Sequence, residues 1–255
     1  MSIETTFNNS KEVILPKDFL SQSEKTYQTI IVHFSEKTSR VLEDQGLIFE
    51  IPNQTFNSDS NTYKVYQHHE SEDILVFKSP IGAPSTVAFL EEITYFYSIK
   101  NIVMFGSAGV LQADIVAGKI IVPTRAYRDE GTSYHYAEAS DFIDIVGSSL
   151  TMKVLTQMGV DFVSGGIWTT DSFYRETMDT MNTRKQQGCI AVDMEISAVQ
   201  AFAQLRGLSF YPFVYGADNL DSSEWDKRVL GSLSYDSRLH TFLLATSIAK
   251  SLMNT

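Results

Sequence analysis

Apolar residues in this chain come in short, dense runs separated by polar and glycine-rich punctuation. Thr29-Ile-Ile-Val-His-Phe34 is β-branched through its centre and predicts a buried strand. Glu36 to Gln45 reads as a helix closed by Gly46. Residues 53–61 are rich in turn formers and predict a loop, with strands near 62–68 and 73–79. Pro80-Ile-Gly-Ala-Pro-Ser85 predicts a tight turn opening a helix from about Ser85 to Ser98, with Val87, Leu90 and Tyr97 on one face. Asn101 to Phe105 is a strand pattern that ends in a glycine turn, Gly106-Ser-Ala-Gly109, and Lys119 to Pro123 is another strand. Residues 124–140 lack helical or strand periodicity and predict a long loop.

Beyond it, Asp144 to Gly159 reads as helix and 161–168 as strand. Helices follow at 176–187 and at 194–206, the second with Ala198, Ala201, Phe202 and Leu205 inward. Leu208 to Tyr215 is a strand and His240 to Leu252 a final helix. This alternation predicts an α/β chain with a mostly parallel sheet covered by helices. No repeat, low-complexity tract or linker divides it, so 1–255 reads as one domain, with polar residues 1–12 expected to be flexible.

Composition narrows the partners. The 255 residues are 43% hydrophobic, enough to bury a sizeable core. The formal net charge is -11 and no Lys/Arg cluster stands out, which argues against nucleic acid and anionic membranes as partners. Cys189 is the single cysteine, so no intramolecular disulfide is expected. Met1 to Ser10 lacks an apolar signal region and no run reaches membrane-span length, so a cytoplasmic location is expected. The five histidines form no H-x-x-x-H pair, and neither a metal nor a cofactor is expected. G-x-S-x-G is absent, and Cys189 reads as a small buried residue rather than a nucleophile.

Five stretches carry candidate chemistry, and each has a plain structural alternative. Gly106-Ser-Ala-Gly109 can present N–H groups and the Ser107 hydroxyl to a ligand oxygen, or be a simple turn. Gly82 to Ser85 opens a helix, which attracts anions or merely caps the chain. Asp193-Met-Glu195 closes a strand and opens a helix; a carboxylate there suits two adjacent sugar hydroxyls, or serves as an acidic cap. Asp218 follows an apolar strand, where ligands bind in open α/β sheets, and an Asp can protonate a leaving nitrogen or cap a turn. Phe173 and Tyr174 can stack a flat base or belong to the rim.

The order of these stretches is more specific than any one of them. Pro80–Ser85, Phe105-Gly-Ser-Ala-Gly-Val-Leu111, Arg128-Asp-Glu-Gly-Thr-Ser-Tyr-His-Tyr136, Thr170-Asp-Ser-Phe-Tyr174, Val192-Asp-Met-Glu195 and Ala217-Asp218 run in sequence over roughly residues 74–250. So arranged, the chain resembles the superfamily of purine nucleoside phosphorylases, uridine phosphorylases and nucleosidases, on the branch carrying the Arg128–Tyr136 loop. The resemblance implies a three-layer α/β/α fold with a mixed, partly closed sheet, and a homo-oligomer (dimer to hexamer) acting on a small-molecule nucleoside. It implies that Glu195 holds the ribose with Met194 packed on the sugar, and that Asp218 is the acid serving a purine base. Phe173, Tyr174 and Arg128 would contact the base. Gly82, Ser85, Ser107, Ala108 and Gly109 would face the nucleophile.

Two departures concern that nucleophile. The family's phosphorylases carry Gly-Asp-Pro-x-Arg near the N-terminus, where this chain reads Leu15-Pro-Lys-Asp-Phe-Leu20. They carry an arginine two residues before the glycine motif, where this chain has Met104. Such arginines hold phosphate by charge-assisted contacts. Nucleosidases of the superfamily also lack the second arginine and use water. The Gly-Gln-x-Arg signature for uridine is missing after Tyr174, which with Asp218 favours a purine. The missing arginines argue for hydrolysis, but on the strength of the family resemblance the expectation is phosphorolysis of a purine nucleoside to base and (deoxy)ribose 1-phosphate, with inorganic phosphate as co-substrate. The replacement cation would come from Arg40, Arg125, Arg128 or Arg175, and Thr132, Ser133 and His135 join Arg128 as loop contacts to base or phosphate. His33 or Arg40 could serve a neighbouring subunit's site. Hydrolysis is the first alternative, and a non-catalytic nucleoside-binding protein on the same fold the second. A Rossmann-type oxidoreductase lacks its G-x-G-x-x-G here.

Overall fold

The computed structural model describes residues 3, 6–59, 61–222 and 224–253. Residues 1, 2, 4 and 5 of the expected flexible segment lie outside the described residues. The strands are β1 (Thr29–His33), β2 (Ile48–Ser58), β3 (Asn61–His68), β4 (Ile74–Lys78), β5 (Asn101–Val110), β6 (Ile120–Asp129), β7 (Phe142–Asp144), β8 (Phe162–Thr170), β9 (Cys189–Asp193) and β10 (Ser209–Asn219). The helices are α1 (Glu36–Asp44), α2 (Ala83–Tyr97), α3 (Ser133–Tyr136), α4 (Ser148–Gln157), α5 (Met178–Gln186), α6 (Ile196–Arg206) and α7 (Tyr235–Leu252).

All ten strands join one sheet in the order β10-β6-β8-β9-β5-β1-β4-β3-β2, with β7 on β6. An extra pairing of β10 with β5 closes β5, β10, β6, β8 and β9 on themselves, while β1, β4, β3 and β2 extend as an open wing. The sheet is mixed rather than mostly parallel. β1 pairs parallel with β4 and β5, as do β5 with β10, β6 with β8, and β8 with β9. The pairings β10–β6, β2–β3, β3–β4, β5–β9 and β6–β7 are antiparallel.

Alternate strand residues feed two cores. Ile30, Val32, Ile102 and Met104 pack with Val87 and Leu90 of α2 and Ala198, Ala201 and Phe202 of α6. Ile31, Val103 and Phe105 pack with Leu42 of α1, Val154 and Leu155 of α4, and Phe242 and Ile248 of α7. The result is the expected three-layer α/β/α arrangement. Because helices cover both faces, the central strands read as unbroken apolar runs. Each fully buried Ile or Phe contributes roughly 1.5–3 kcal/mol.

Several boundaries differ from expectation. Residues 53–61 are not a loop: most lie in the β2–β3 hairpin at the outer edge of the sheet. The edge is largely exposed, so its strands carry polar residues, and the turn formers coincide with a register irregularity where Asn53 takes φ 59°. The expected loop 124–140 is half regular structure, since β6 continues to Asp129 against β8 and α3 follows. Helix α4 begins at Ser148 rather than near Asp144, which instead ends β7. Leu205 is exposed, not inward. Pro16–Asp18 form a short 3-10 helix packed against α2. No described helix is long and apolar enough to cross a membrane.

One contact between α4 and the sheet is unforgiving. A Cβ at Gly147, the N-cap of α4, would lie 2.0 Å from the Phe210 carbonyl oxygen and 2.7 Å from Tyr211 Cδ1. Backbone cannot rotate away as a side chain can. Gly147→Ala is therefore expected to cost about 3 kcal/mol, the upper end of ordinary overpacking. That would lower Tm by roughly 6–12 °C. Calorimetry showing an unchanged Tm would refute this account of the α4 docking.

Candidate active site

The turn from β9 into α6 is built around a buried carboxylate. Asp193 Oδ2 accepts the backbone N–H groups of Glu195 (2.8 Å) and Ile196 (2.7 Å), and its Oδ1 accepts the Thr169 hydroxyl at 2.7 Å. Thr169 Oγ1 in turn accepts the Ser197 N–H at 3.1 Å. Asp193 thus satisfies the orphan donors of the helix start. Glu195 occupies the N-cap position but makes no cap bond with its side chain. Its carboxyl turns instead towards α2, where Oε1 accepts the Gly82 N–H at 2.6 Å. Gly82 sits at φ 105°, a conformation that L side chains rarely adopt.

Glu195 is 7% exposed. Burial, and then the neighbouring Asp193 carboxylate, raise its pKa, while the Gly82 and Met194 N–H groups pull it back. Asp193 is raised as well, chiefly by burial. Met194 is half-buried beside Glu195.

The second carboxylate stands on β10. The strand does not stop before Gly216, as expected from sequence, but runs to Asn219 alongside β5. A register shift between Gly216 and Asp218 sets Asp218 opposite Gly109. The Gly106–Gly109 motif is therefore strand, not turn. A Cβ at Gly109 would meet Leu220 Cδ1 at 2.5 Å, Val192 Cγ1 at 3.0 Å and Asp218 Oδ1 at 3.4 Å. Glycine is needed there for close approach of neighbours rather than for a bend. Ala108 is buried in the core beside it.

Two residues that the sequence reading missed lie at Asp218. Trp225 donates its indole N–H to Asp218 Oδ2 at 2.7 Å. Glu176 is close enough for the Asp218 charge to act on it, and burial plus that charge push its pKa up to about 7. Asp218 itself is raised by burial, partly offset by the Trp225 hydrogen bond. Nothing local in the sequence marks Trp225, whereas Glu176 follows the Phe-Tyr pair closely enough to have been a candidate. Phe173 and Tyr174 lie on a short 3-10 helix with Arg175, rings 4.1 Å apart, and Tyr174 is 90% exposed.

Other expected contacts are placed differently. Gly82 gives its N–H to Glu195 rather than to a nucleophile. Ser85 is exposed within the first turn of α2, and the buried hydroxyl there is Thr86, bonded with Ser79. Arg128 is 2% exposed and folds its own loop: Nε reaches Ser133 Oγ (2.9 Å), Nη1 reaches Glu138 O and Ser140 Oγ, and Nη2 reaches Ala137 O. Its guanidinium also covers the Tyr134 ring at 4.2 Å. With every nitrogen engaged, it is not available to a base. Ser133 is buried in that network, Thr132 is half-buried, and His135 is exposed beside a surface groove.

At the nucleophile end, Ser107 is exposed on β5 and within hydrogen-bonding reach of Tyr215, its neighbour on β10. Met104 is buried in the core. The turn that meets the glycine motif is β1–α1, not residues 15–20: a Cβ at Gly106 would lie 3.1 Å from Phe34 Cδ2. None of the four expected cations contacts Ser107. Arg40 is exposed and pairs with Glu36. Arg125 donates to Gln187 O at 2.6 Å and stacks on Phe142. Arg128 is committed as above, and Arg175 is exposed. His33 is buried in its own protomer, stacked on Phe105, and burial lowers its pKa to about 3. Burial also lifts the Cys189 thiol to about 11, away from nucleophile chemistry. Among the described residues no group of three or more His, Cys, Asp or Glu could hold a metal ion.

A family model described as the phosphorylase superfamily matches residues 29–229. Purine nucleoside phosphorylases of the DeoD type from Bacillus cytotoxicus and Bacillus mycoides are 25% identical over 159 residues, 61% of this chain and 68% of theirs. Among solved structures, purine nucleoside phosphorylase from Toxoplasma gondii in complex with immucillin-H gives a TM-score of 0.73 at 19% identity, over 91% of this chain and 94% of that one. A futalosine hydrolase mutant from Helicobacter pylori gives 0.66 at 17% identity, over 90% and 100%. AMP nucleosidase from Bacteroides thetaiotaomicron gives 0.70 at 11% identity, over 90% of each chain. The family match covers most of the chain and the fold agrees with it, so the protein belongs to the phosphorylase superfamily, as an enzyme of nucleoside phosphorylase or N-glycosyl hydrolase type.

Proposed function

We propose that this protein cleaves the N-glycosidic bond of a purine nucleoside, with phosphate as the attacking nucleophile. The observation that carries the reading is a pair of carboxylates in unlike surroundings at the ends of β9 and β10, the two strands that flank β5. Glu195 is sealed in and fixed by backbone N–H groups. Asp218 is half-buried and shares its surroundings with a second acid, Glu176. Environments that separate two carboxylates in this way divide their roles. Glu195 accepts hydrogen bonds from the ribose hydroxyls, which tighten as the ring gains oxocarbenium character. A phosphate oxygen attacks C1′ from the Ser107 side, and the C1′–N9 bond breaks. Its electron pair moves into the base, which takes the Asp218 proton at N7. The products are free base and ribose 1-phosphate. Met194 packs on the sugar, and Phe173 and Tyr174 flank the base at the open mouth. Exposed Val13, Ile14 and Phe19 offer an apolar face that a homo-oligomer would cover. Water is the second reading, favoured by the apolar Met104 at the position where the resemblance expects a phosphorylase arginine.

Turnover of inosine and adenosine with and without phosphate decides between them. Base release is expected to require phosphate. Equal release without it selects water, and no release under either condition sinks the reading. Asp218→Asn is expected to lower kcat by about 10²–10⁴-fold, as loss of a general acid does. The Asp218–Glu176 pair keeps one proton until pH reaches about 7. The alkaline limb of kcat against pH should therefore sit near that value, and Glu176→Gln should move it towards acid. A profile identical to wild type would remove Glu176 from the chemistry.

Glu195→Gln should trade activity for stability. Because the folded-state pKa of Glu195 is raised, its stabilising contribution is full below the ordinary value of 4.5 and is lost as pH rises through the folded value. The uncharged variant keeps an acceptor for Gly82 and should melt about 2–4 °C higher on the alkaline side, the shift given by 1 kcal/mol in a chain of this size. The difference should vanish near pH 4.5, while kcat/KM falls by about 10–100-fold. Melting curves that coincide at every pH would show that the carboxyl is not strained by burial.

A further inference from the structure

Trp225 stands in the segment that follows β10 and is 60% exposed. Burial of the ring therefore does not account for its place. Its indole N–H donates to Asp218 Oδ2 at 2.7 Å, and it is the only side-chain donor on that carboxylate among the described residues. The chain's other tryptophan behaves in the ordinary way. Trp168 is 1% exposed, packs in the core with Met181 and Val192, and gives its N–H to Asp129 Oδ2 at 2.9 Å.

The segment is fastened on both sides of the indole. Asn219 and Asp226 exchange backbone hydrogen bonds of 2.8 and 3.2 Å, which folds it back on the end of β10. Ahead of Trp225, Asp221 accepts the Ala113 N–H at 3.1 Å and pairs with Lys185 of α5. Behind it, Arg228 donates to Ile115 O at 2.6 Å and to Ala113 O at 3.2 Å, and the Val229 N–H reaches Ala217 O at 2.9 Å. Arg228 takes φ 42°, a left-handed conformation that a residue with a Cβ keeps only where its surroundings hold it. None of these fixings uses the Trp225 side chain. The indole bond is thus not what closes the segment, and its effect falls on Asp218.

We propose that Trp225 is a positioning residue for Asp218: its N–H fixes the carboxyl group, leaves Oδ1 for the base, and takes up the negative charge that remains when the proton departs. The inference rests on the glycosidic-cleavage reading. Before proton transfer the bond joins two neutral groups, and afterwards it is charge-assisted. It therefore strengthens as the reaction proceeds, which is where a hydrogen bond lowers a barrier. The other charges that act between Asp218 and its neighbours are those of Arg228, Asp226 and Glu176. Arg228 and Asp226 pair with each other at 3.1 Å, and Glu176 opposes ionisation. Gly109, opposite Asp218 on β5, brings no charge. Against burial, the indole is the main group that favours the carboxylate.

Trp225→Phe keeps an aromatic ring and removes the donor, at an exposed position where folding is not at stake. Base release from inosine should be measured against pH for the full chain and this variant. The indole N–H resonances should be followed by heteronuclear NMR in wild type, Trp225→Phe and Asp218→Asn. In Trp225→Phe, kcat is expected to fall at least about tenfold while nucleoside KM stays within about twofold. With the donor gone Asp218 keeps its proton to higher pH. The alkaline limb should therefore move about one pH unit towards alkaline, opposite in direction to Glu176→Gln. The indole signal that Trp225→Phe deletes should titrate in wild type and lose that titration in Asp218→Asn. An unchanged kcat overturns the assignment. So does a limb that stays in place while kcat falls, which would mark a structural loss only, and so does a change confined to KM, which would make Trp225 a wall of the base site. An indole signal indifferent both to pH and to Asp218→Asn removes the contact itself. If wild type releases no base while the indole signal still titrates with Asp218, the cleavage reading falls and the hold of Trp225 on Asp218 stands.

Discussion

The site hangs on Asp193, whose carboxylate accepts two backbone N–H groups at the start of α6 and a hydroxyl from β8. A charge in that position satisfies the helix terminus and complements its dipole. It also frees Glu195 from capping, so that the side chain nominally at the N-cap can turn across to α2. The cost is a second buried carboxylate beside the first, which raises the pKa of both. The orientation of Glu195 is thus obtained at the cost of electrostatic strain, held in place by the parallel pairing of β8 with β9. Removing Asp193 would relax that strain and lose the orientation with it.

The same sheet sets the distance between the two halves of the site. β5 pairs antiparallel with β9 and parallel with β10 at its C-terminal end, so Gly109 touches both Val192, just before Asp193, and Asp218. Closure of the sheet through β5–β10 is what brings carboxylates about 23 positions apart in sequence to one strand end. Helix starts α2 and α6 add their N–H groups from one side. Helices α1, α4 and α7 cover the opposite face of the sheet.

Much of this was legible in the sequence, for a physical reason. Runs such as Thr29–Val32 and Asn101–Phe105 are buried on both faces, so their composition alone identifies them. Strand β3 was legible, but β2 was not, because an exposed edge selects polar residues and Asn, Ser and Asp there look like a loop. Gly106 and Gly109 were misread as a turn because glycine signals either a bend or close contact, and only tertiary neighbours tell which. Asp218 and Glu195 could be found from their order in the chain. Trp225 could not, because it reaches Asp218 from a later loop whose packing no local pattern records. Arg128 misled in the opposite sense, since a charged residue in a polar segment proved to be the buried keystone of that segment.

This division explains why membership of the superfamily leaves the nucleophile open. Ribose binding and protonation of the base serve phosphorolysis and hydrolysis equally, so their residues carry no information about what attacks C1′. Only the charge next to Ser107 discriminates, because phosphate needs a cation and water does not. The β5 position where the resemblance expects a phosphorylase arginine holds the buried, apolar Met104, so any cation that serves phosphate has to come from another element of the fold.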